Sequence, residues 1–396
     1  MPAPRYEVVE EPFLVLFCGG LGGSPIEDLQ AEALRECALD TLDEALGTGA
    51  YPGAVLVADA AAAEALAPRL PAGVKLDIDQ PGQTHHFGRR LAEVVVRYQL
   101  KRPVYVGCGM PLLRGDELAA VAAALESQDI AVVSNNFFSA DLIGFVPGDV
   151  VGDFDLPDND RILPRFLVQE AGLINQALPR TISNQFDIDT PIELSILAYA
   201  GGAGPRLSAW LAAHPIETEA VEKAAWLFTD GQAVVLVAGR IGGDTMEYLR
   251  SETASQTRVY SEERGMQAAG RDLSGEARSL LGFHIQAVGV ERFFAELGEM
   301  ANGAFIDTRP IFAHMGLQPS RPDRFLSDAL RPEDISDAWV REFTAAAREA
   351  PIPVVLGGQS LVTSGLQLLA EAAWKRHDKV EAEYKARGRA RERGSG

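Results

Sequence analysis

The chain has 396 residues and a formal net charge of −20, because 36 lysine and arginine residues stand against 56 aspartate and glutamate residues. A surface this acidic repels nucleic acid, so the sequence predicts no nucleic-acid partner. Hydrophobic residues make up 47% and charged residues 23%, as in ordinary soluble globular proteins, and no apolar run reaches the roughly 18 residues of a membrane span.

The length suits two or three domains. The first 13 residues lack the apolar core of a signal peptide. Cys18, Cys37 and Cys108 are too few and too scattered for a disulfide framework or a zinc site, which favours a reducing compartment. The sequence therefore predicts a cytoplasmic protein, and it leaves the oligomeric state open, a homo-oligomer included.

In the first half of the chain, predicted strands alternate with predicted helices from Phe13 onward. The predicted strands are "FLVLFC", "AVLVAD", "PVYVG", "IAVVSN" and "DLIGFVP". The predicted helices are "EDLQAEALRECALDTLDEAL", "AAAEALAPRL", "GRRLAEVVVRYQL" and "GDELAAVAAALES", and helical segments fill much of residues 160–228. This alternation indicates βαβ units and a mostly parallel sheet.

A second alternating series starts near Gln232. Its predicted strands are "AVVLVAG", "TRVYS", "GAFIDTRPIF" and "IPVVLGG". Its predicted helices are "DTMEYLRSE", "VERFFAELGEMA", "SDAWVREFTAAAREA" and "SLVTSGLQLLAEAAWKR". We therefore predict two α/β domains, residues 1–215 and 216–396. The second is expected to be a three-layer sandwich that ends in a basic helical tail over residues 375–393.

The turn "FCGGLGGSP" follows the first predicted strand. Its glycines leave backbone N–H groups that could approach a phosphate, although such turns are often purely structural. The candidate phosphate-binding residues of this turn are Gly19, Gly20, Gly22 and Gly23. His85 and His86, which precede a predicted helix, could also meet a ligand phosphate or simply lie in solvent.

The segment "FDIDTPIEL" is a sharper signal. Asp187 and Asp189 stand two positions apart in an extended stretch, so their side chains are predicted to project to the same side. Thr190 and Pro191 are typical of the N-cap and first residue of a helix. A carboxylate at such a junction can hold a hard cation, or it can merely cap the helix.

These stretches together carry a family resemblance. The order "FLVLFCGG … GRRLAEVV … PVYVGCGMPLL … IAVVSN … DLIGF … FDIDTPIEL" resembles the nucleotidyltransferases of the molybdenum-cofactor guanylyltransferase type, to which the 2-phospholactate guanylyltransferases are related. The resemblance covers residues 12–200 and implies a Rossmann-like sheet of the glycosyltransferase-A type. It also implies a first turn that binds a nucleoside triphosphate. Mg²⁺ would be held by an aspartate at the end of the strand before "PLL" and by the DIDTP aspartate.

The chain departs from that family pattern at two places. The family usually places an arginine and a lysine after the first turn, but no Lys or Arg occurs from Gly19 through Leu34. Gly109 stands where the metal-binding aspartate is expected, and it offers no side-chain oxygen to Mg²⁺. Since phosphoryl transfer relies on cations to neutralise the phosphates, we expect a degenerate metal site in which Asp187 and Asp189 remain.

A second candidate metal site lies in the loop "GDFDLPDNDR". Asp153 and Asp155 form a D-x-D pair, and Asp158 and Asp160 follow closely. In glycosyltransferases of this sheet type, a D-x-D pair holds the metal and the diphosphate of a nucleotide sugar. A carboxylate-rich loop is also common turn chemistry, so both interpretations stand.

The second half resembles no family that we recognise, yet its predicted strand ends collect polar residues. Gly357, Gly358 and Ser360 leave free N–H groups at a helix start, which favours anion binding. Acidic residues and arginines at strand ends are typical of an α/β ligand crevice, although each alone could be a surface ion pair. The candidate crevice residues are Arg258, Glu262, Glu263, Arg264, Asp307, Arg309 and Arg324.

Three functional hypotheses follow. The first is a Mg²⁺-dependent nucleotidyltransferase that transfers a nucleotide monophosphate to a small phosphorylated or cofactor-like acceptor, as the resemblance implies. The second is a nucleotide-sugar glycosyltransferase that uses Asp153 and Asp155. The third is a non-catalytic first half that organises a ligand-binding or catalytic second half. The predicted partners are a nucleotide and a small phosphorylated ligand, with neither nucleic acid nor membrane.

Overall fold

The computed structural model describes residues 7–80, 82 and 86–394, with side chains through residue 383. His85 and the side chains of residues 384–393 in the predicted basic tail therefore lie outside the described residues. The chain forms two compact units, each made of two segments. The first unit comprises Met1–Ile188 and Gly202–Ala213, and the second unit comprises Asp189–Gly201 and His214–Gly396. The predicted domain boundary at residue 215 stays a prediction.

The first unit is built on a seven-stranded sheet. Its strands are β1 (Val9–Cys18), β2 (Ala54–Ala58), β3 (Val74–Ile78), β4 (Leu100–Gly107), β5 (Ala131–Ser134), β6 (Leu142–Val146) and β7 (Asn175–Ala177). They lie in the order β3-β2-β1-β4-β6-β5-β7, and only β6 runs antiparallel to its neighbours. The predicted α/β class with a Rossmann-like, mostly parallel sheet is confirmed.

The second unit contains a four-stranded sheet in the order β11-β10-β8-β9, in which every pair is parallel. Its strands are β8 (Val234–Gly239), β9 (Gln256–Ser261), β10 (Gly303–Asp307) and β11 (Val354–Gly357). The predicted second α/β region is therefore present. Its division into three layers stays a prediction.

The described residues form sixteen α-helices. In chain order they are α1 (Pro25–Gly47), α2 (Ala60–Leu66), α3 (Phe87–Tyr98), α4 (Gly115–Glu126), α5 (Leu163–Gln169), α6 (Ile182–Gln185), α7 (Pro191–Ala200), α8 (Pro205–Ala213), α9 (Glu219–Trp226), α10 (Gly243–Glu252), α11 (Leu280–Val288), α12 (Val290–Met300), α13 (Arg309–His314), α14 (Arg321–Asp328), α15 (Ala338–Arg348) and α16 (Leu366–Gly394). None of those in the described part of the chain is long and apolar enough to cross a membrane.

Alternation along β1 explains why the first sheet is covered on both faces. Leu14 and Leu16 belong to a core cluster with residues of α1 and α4. Phe13 and Val15 belong to a separate cluster with residues of α3 and α5. Because successive strand residues point to opposite faces, a strand that is apolar throughout must be buried on both sides. This packing leaves the ends of the strands as the place for polar chemistry.

The sequence analysis did not predict β3 and β7. The strand β3 reads "VKLDI" and is only partly buried, because it lies at the edge of the sheet. The strand β7 has three residues, all exposed, at the other edge. Neither carries the apolar run or the clean alternation by which a strand is recognised in a sequence.

Candidate functional site

The strand order of the first unit places a topological switch point between β1 and β4. The strands β2 and β3 lie on one side of β1, and the chain then returns to pair β4 with the other side. In open α/β sheets, ligands bind at the carboxyl ends of the strands at such a point. The turn Gly19–Gly23 follows β1 here, and Cys108 and Gly109 follow β4.

The turn after β1 requires glycine. Gly19, Gly20, Gly22 and Gly23 have φ values of 155°, 80°, 139° and 105°. Side chains with a Cβ rarely adopt such backbone angles, so the residue type follows from the turn geometry. Ser24 then caps α1, its side chain accepting the Glu27 N–H at 3.4 Å. The predicted role of these glycines in phosphate binding stays a prediction.

A carboxylate already lies against this turn. The N–H of Gly20 donates to Asp59 Oδ2 at 2.7 Å, and Asp59 Oδ1 accepts the Ala62 N–H at 2.8 Å as the N-cap of α2. A Cβ added at Gly19 would be 2.6 Å from Asp59 Oδ2. Sequence reasoning missed Asp59, although an aspartate directly after the predicted strand "AVLVAD" was a visible signal.

An arginine also lines this edge. A shallow depression beside the turn is lined by Gly19, Arg35, Asp59 and apolar side chains of α1 and α2. The sequence analysis found no cation from Gly19 through Leu34, but the next residue, Arg35, is brought to the turn by α1. A helix of 23 residues delivers side chains from well beyond the turn itself, which a search confined to neighbouring positions does not find.

The end of β4 is packed against Asp187. The carbonyl of Gly109 accepts the Ile188 N–H at 2.8 Å, and a Cβ at Gly109 would stand 2.2 Å from Asp187 Oδ1. The φ of Gly109 is not in the left-handed region. Glycine is therefore suited to this position because the Asp187 carboxylate lies over it. Asp187 belongs to the first unit, whose first segment ends at Ile188, and Asp189 begins a segment of the second unit.

Gln30 of α1 adds an unsatisfied polar group in the first unit. It is 1% exposed, and its Nε2 donates to the Ile188 carbonyl at 3.5 Å. Its Oε1 has no hydrogen-bond partner. An unpaired buried acceptor costs about 1–3 kcal/mol, so a donor from a ligand or a bound water would stabilise this position.

Two cysteines lie beside the turn, the buried Cys18 and the partly buried Cys108. Cys18 and Cys108 follow the paired residues Phe17 and Gly107, and the Cys108 thiol is hydrogen-bonded to Cys18. That hydrogen bond and burial raise the pKa of the Cys108 thiol well above its ordinary value. Since the thiolate is the reactive form, this environment disfavours Cys108 as a nucleophile.

The predicted metal ligands do not form a ready-made cation site. Among the residues that the structure describes, no group of three or more His, Cys, Asp or Glu could hold a metal ion. Asp155 is exposed and lies 3.7 Å from Arg89, and Asp153 follows a short 3₁₀ turn. In nucleotide sites Mg²⁺ takes only one or two carboxylates, together with phosphate oxygens, so the absence of a larger group does not test these residues. The roles predicted for Asp153, Asp155, Asp187 and Asp189 stay predictions.

Asp160 of the same loop is partly buried. The hydroxyl of Tyr105 donates to Asp160 Oδ2 at 2.7 Å, and burial raises the pKa of that carboxyl. Tyr105 belongs to β4 and packs edge-on against Phe17 and Phe87. This contact anchors the loop to the sheet, which gives Asp160 a structural role.

The switch point of the second unit lies between β8 and β10. Arg240, directly after β8, donates from its backbone N–H, Nε and Nη2 to the carboxylate of Asp307 at the end of β10, at 3.2, 2.6 and 3.1 Å. The two side chains are 5% and 0% exposed. Sequence reasoning selected Asp307 but missed Arg240, because only the sheet topology shows that the two strand ends are neighbours.

A second buried ion pair joins α13 to α14. Nη1 and Nη2 of Arg309 donate to the two carboxylate oxygens of Asp328 at 2.9 and 2.6 Å, and Nη1 also donates to the Thr308 hydroxyl at 2.7 Å. Arg309 Nη2 is 3.9 Å from the Cβ position of Gly358. The structure therefore brings the predicted residues Asp307, Arg309 and Gly358 to one edge of the second sheet.

The start of α7 belongs to this same unit. Thr190 is the N-cap and Pro191 the first residue, as predicted, and the Thr190 N–H donates to Glu193 Oε2 at 2.8 Å. Glu193 is fully buried, and its Oε1 has no partner. Burial raises the pKa of Glu193 well above its ordinary value, and the neighbouring Asp189 raises it further. Burial at this position therefore favours the protonated form of the Glu193 carboxyl over the ionised form.

The remaining predicted crevice residues have different environments. Arg258 lies within β9 and is exposed. Glu262 accepts the Ser279 hydroxyl and the Leu280 N–H, and its own N–H donates to the Gly239 carbonyl at the end of β8 at 2.9 Å. Glu263 pairs with Arg271. The guanidinium carbon of Arg264 lies 3.6 Å from the Cβ position of Gly242, and Arg324 donates to the Pro319 carbonyl at 2.8 Å. Their predicted role in a ligand crevice stays a prediction.

The turn after β11 has an irregular start to its helix. Gly357 and Gly358 lead into Ser360, and residues Leu361–Gly365 form an irregular turn with a kink at Thr363 before α16. The Gly365 N–H donates to the Ser360 carbonyl at 2.9 Å. The predicted anion site at this turn stays a prediction.

No protein-family model and no curated protein matches this chain. Many solved structures are similar to it over about half of its length, and three of them are described here. One is named as a nucleotide-diphospho-sugar transferase of Desulfovibrio desulfuricans G20 (17% identity, 52% of this chain and 96% of the other, TM-score 0.38). A second is a cytidylyltransferase of Leptospira borgpetersenii serovar Hardjo-bovis (13% identity, 52% of this chain and 96% of the other, TM-score 0.36). The third is Rv0371C of Mycobacterium tuberculosis H37Rv in complex with manganese (15% identity, 47% of this chain and 96% of the other, TM-score 0.33). Identities and TM-scores this low say nothing about the ligand or the reaction of this chain.

Proposed function

We propose that the protein is a nucleotidyltransferase-like protein whose first unit binds a nucleoside triphosphate with a divalent cation. It would transfer the nucleotide monophosphate to a small phosphorylated or cofactor-like acceptor. In that reaction an acceptor oxygen bonds to the α-phosphorus and pyrophosphate leaves. The observation that carries the proposal is the four-glycine turn at the β1/β4 switch point, where backbone N–H groups and a strand-end crevice coincide.

The cation is expected to arrive with the triphosphate. Asp187 is the carboxylate beside Gly109, and phosphate oxygens would supply further ligands, whereas Gly109 supplies none. A divalent cation neutralises charge on the phosphates and favours loss of pyrophosphate. Because one carboxylate of the family pattern is missing, we expect transfer to be slow, while binding through the turn persists.

A panel of the four common nucleoside triphosphates with Mg²⁺ or Mn²⁺, and with small phosphorylated acceptors, tests this. We expect at least one triphosphate to raise the melting temperature and to release pyrophosphate in a cation-dependent reaction. Replacing Asp187 by alanine should abolish that release, whereas Asp153→Ala, in an exposed loop, should retain it. The proposal is contradicted if no triphosphate raises the melting temperature and none releases pyrophosphate.

A second candidate is a non-catalytic first unit with the ligand site in the second. The Asp59 carboxylate on the Gly20 N–H favours it, since an internal anion there opposes a phosphate. The buried polar groups at the β8/β10 edge also favour it, because strand-end crevices hold ligands. Triphosphate binding without pyrophosphate release would support this candidate. Turnover of a UDP-sugar that is lost in Asp153→Ala would instead support a glycosyltransferase.

A further inference from the structure

The depression beside the glycine turn contains both an anion and a cation of the chain itself. It is lined by Gly19 of the turn, Arg35 of α1, and Asp59 at the start of α2, with Leu21, Leu34 and Ala62 as neighbours. The sequence separates Asp59 from Gly20 by 39 positions, so this grouping is a product of the fold.

Asp59 has the geometry of a bound anion. Both of its carboxylate oxygens accept backbone N–H groups, from Gly20 at 2.7 Å and from Ala62 at 2.8 Å. Backbone N–H groups in a glycine turn are donors that proteins offer to phosphate. A negative group at this position lowers the affinity of the turn for a second anion, because like charges a few ångströms apart repel strongly.

Arg35, the cation that lines this depression, differs from Asp59 in its contacts. It is only partly exposed, and no carboxylate of the described residues forms an ion pair with it. Arg69 is in contrast held by Glu36 of α1 through two short hydrogen bonds. An arginine that lines a depression without a counter-ion is available to a ligand, and guanidinium groups match phosphate geometry.

We propose that Asp59 occupies the phosphate position of the glycine turn in the free protein, and that a ligand phosphate displaces it and pairs with Arg35. This inference rests on the proposed function, since it takes the phosphate to be that of the nucleotide. It makes Asp59 a built-in competitor that selects for ligands whose charge a divalent cation has partly neutralised. It also makes Arg35 the cation that the turn itself lacks.

Isothermal titration calorimetry with inorganic pyrophosphate and with a Mg²⁺–nucleoside triphosphate tests the proposal. Asp59→Asn keeps a residue that caps helices well and removes the charge, so it should bind pyrophosphate about tenfold or more tightly than the unmodified protein. Arg35→Gln should bind both probes about tenfold more weakly. Asp129→Asn and Arg69→Gln change the net charge equally at exposed positions, and their affinities should stay within about twofold.

The outcomes separate the two proposals. If the unmodified protein binds the triphosphate and Asp59→Asn binds it no more tightly, the inference is overturned and the proposed function still stands. Pyrophosphate binding that appears only in Asp59→Asn supports the inference. Failure of every variant to bind either probe, with melting temperatures showing that each is folded, overturns both.

Discussion

Replacing Arg240 by methionine should lower the free energy of unfolding of the second unit by about 3–5 kcal/mol, the cost of leaving one charge of a buried ion pair uncompensated. Asp307 is fully buried, and three of its hydrogen bonds come from Arg240, two of them from the side chain. Methionine preserves much of the apolar stem of arginine but leaves that carboxylate without its guanidinium.

Urea unfolding followed by tryptophan fluorescence measures the effect, since Trp226, Trp339 and Trp374, three of the four tryptophans, lie in the second unit. Arg250→Met is the matched control, because Arg250 pairs with Glu247 on the surface and its loss should cost at most about 1 kcal/mol. Adding Asp307→Asn to Arg240→Met should recover part of the loss. Equal destabilisation by Arg240→Met and Arg250→Met would show that the buried pair does not hold this sheet edge together.

Gly109→Asp should destabilise the first unit in a way that depends on pH and on divalent cations. The new Cβ would stand 2.2 Å from Asp187 Oδ1, so the Asp187 side chain must move, at about 1–3 kcal/mol. Two adjacent carboxylates also repel, which raises the pKa of one of them in the folded state. Stability should therefore be lowest above the raised pKa and should recover as pH falls from that value to the pKa of a free carboxyl.

Gly109→Ala separates these effects, because it adds the Cβ without the charge. Thermal melts in chelator and in Mg²⁺ or Mn²⁺ should show that the cation raises the melting temperature of Gly109→Asp more than that of Gly109→Ala. That result would mark the position as a metal site that has lost a ligand. Identical melts for both variants, with no response to cations, would mean that glycine is retained solely for the close approach of Asp187. We expect no gain of catalysis from this change alone.

The contrast between Thr190 and Asp59 shows how far the sequence alone leads. Thr190-Pro191 was predicted to start a helix and does, because capping depends on residues within one turn of each other. The glycine turn and the α/β class were predicted for the same reason, since strand and turn patterns are local. Asp59, Arg35 and Arg240 were missed, because each acquires its partner through strand order or through helix packing between distant residues.

Gly109 shows a second limit of prediction from the sequence. The resemblance to a nucleotidyltransferase family showed that an expected aspartate is absent, yet it gave no reason for glycine. The structure supplies one, since Asp187 from 78 positions later fills the space that a Cβ needs. A long-range close approach of this kind leaves no trace in periodicity or composition.

The central claim, that a nucleotide binds at the β1/β4 switch point, can be tested at two backbone amides. Labelling with ¹³C′-cysteine and ¹⁵N-glycine selects Cys-Gly pairs, and the sequence contains only Cys18-Gly19 and Cys108-Gly109. Both lie at the switch point, and Cys108→Ser, which removes the Gly109 signal, assigns the two resonances. Titration with Mg²⁺ and each of the four nucleoside triphosphates should shift the Gly19 amide saturably with at least one of them. Resonances that stay unchanged at millimolar concentrations of all four would contradict the account.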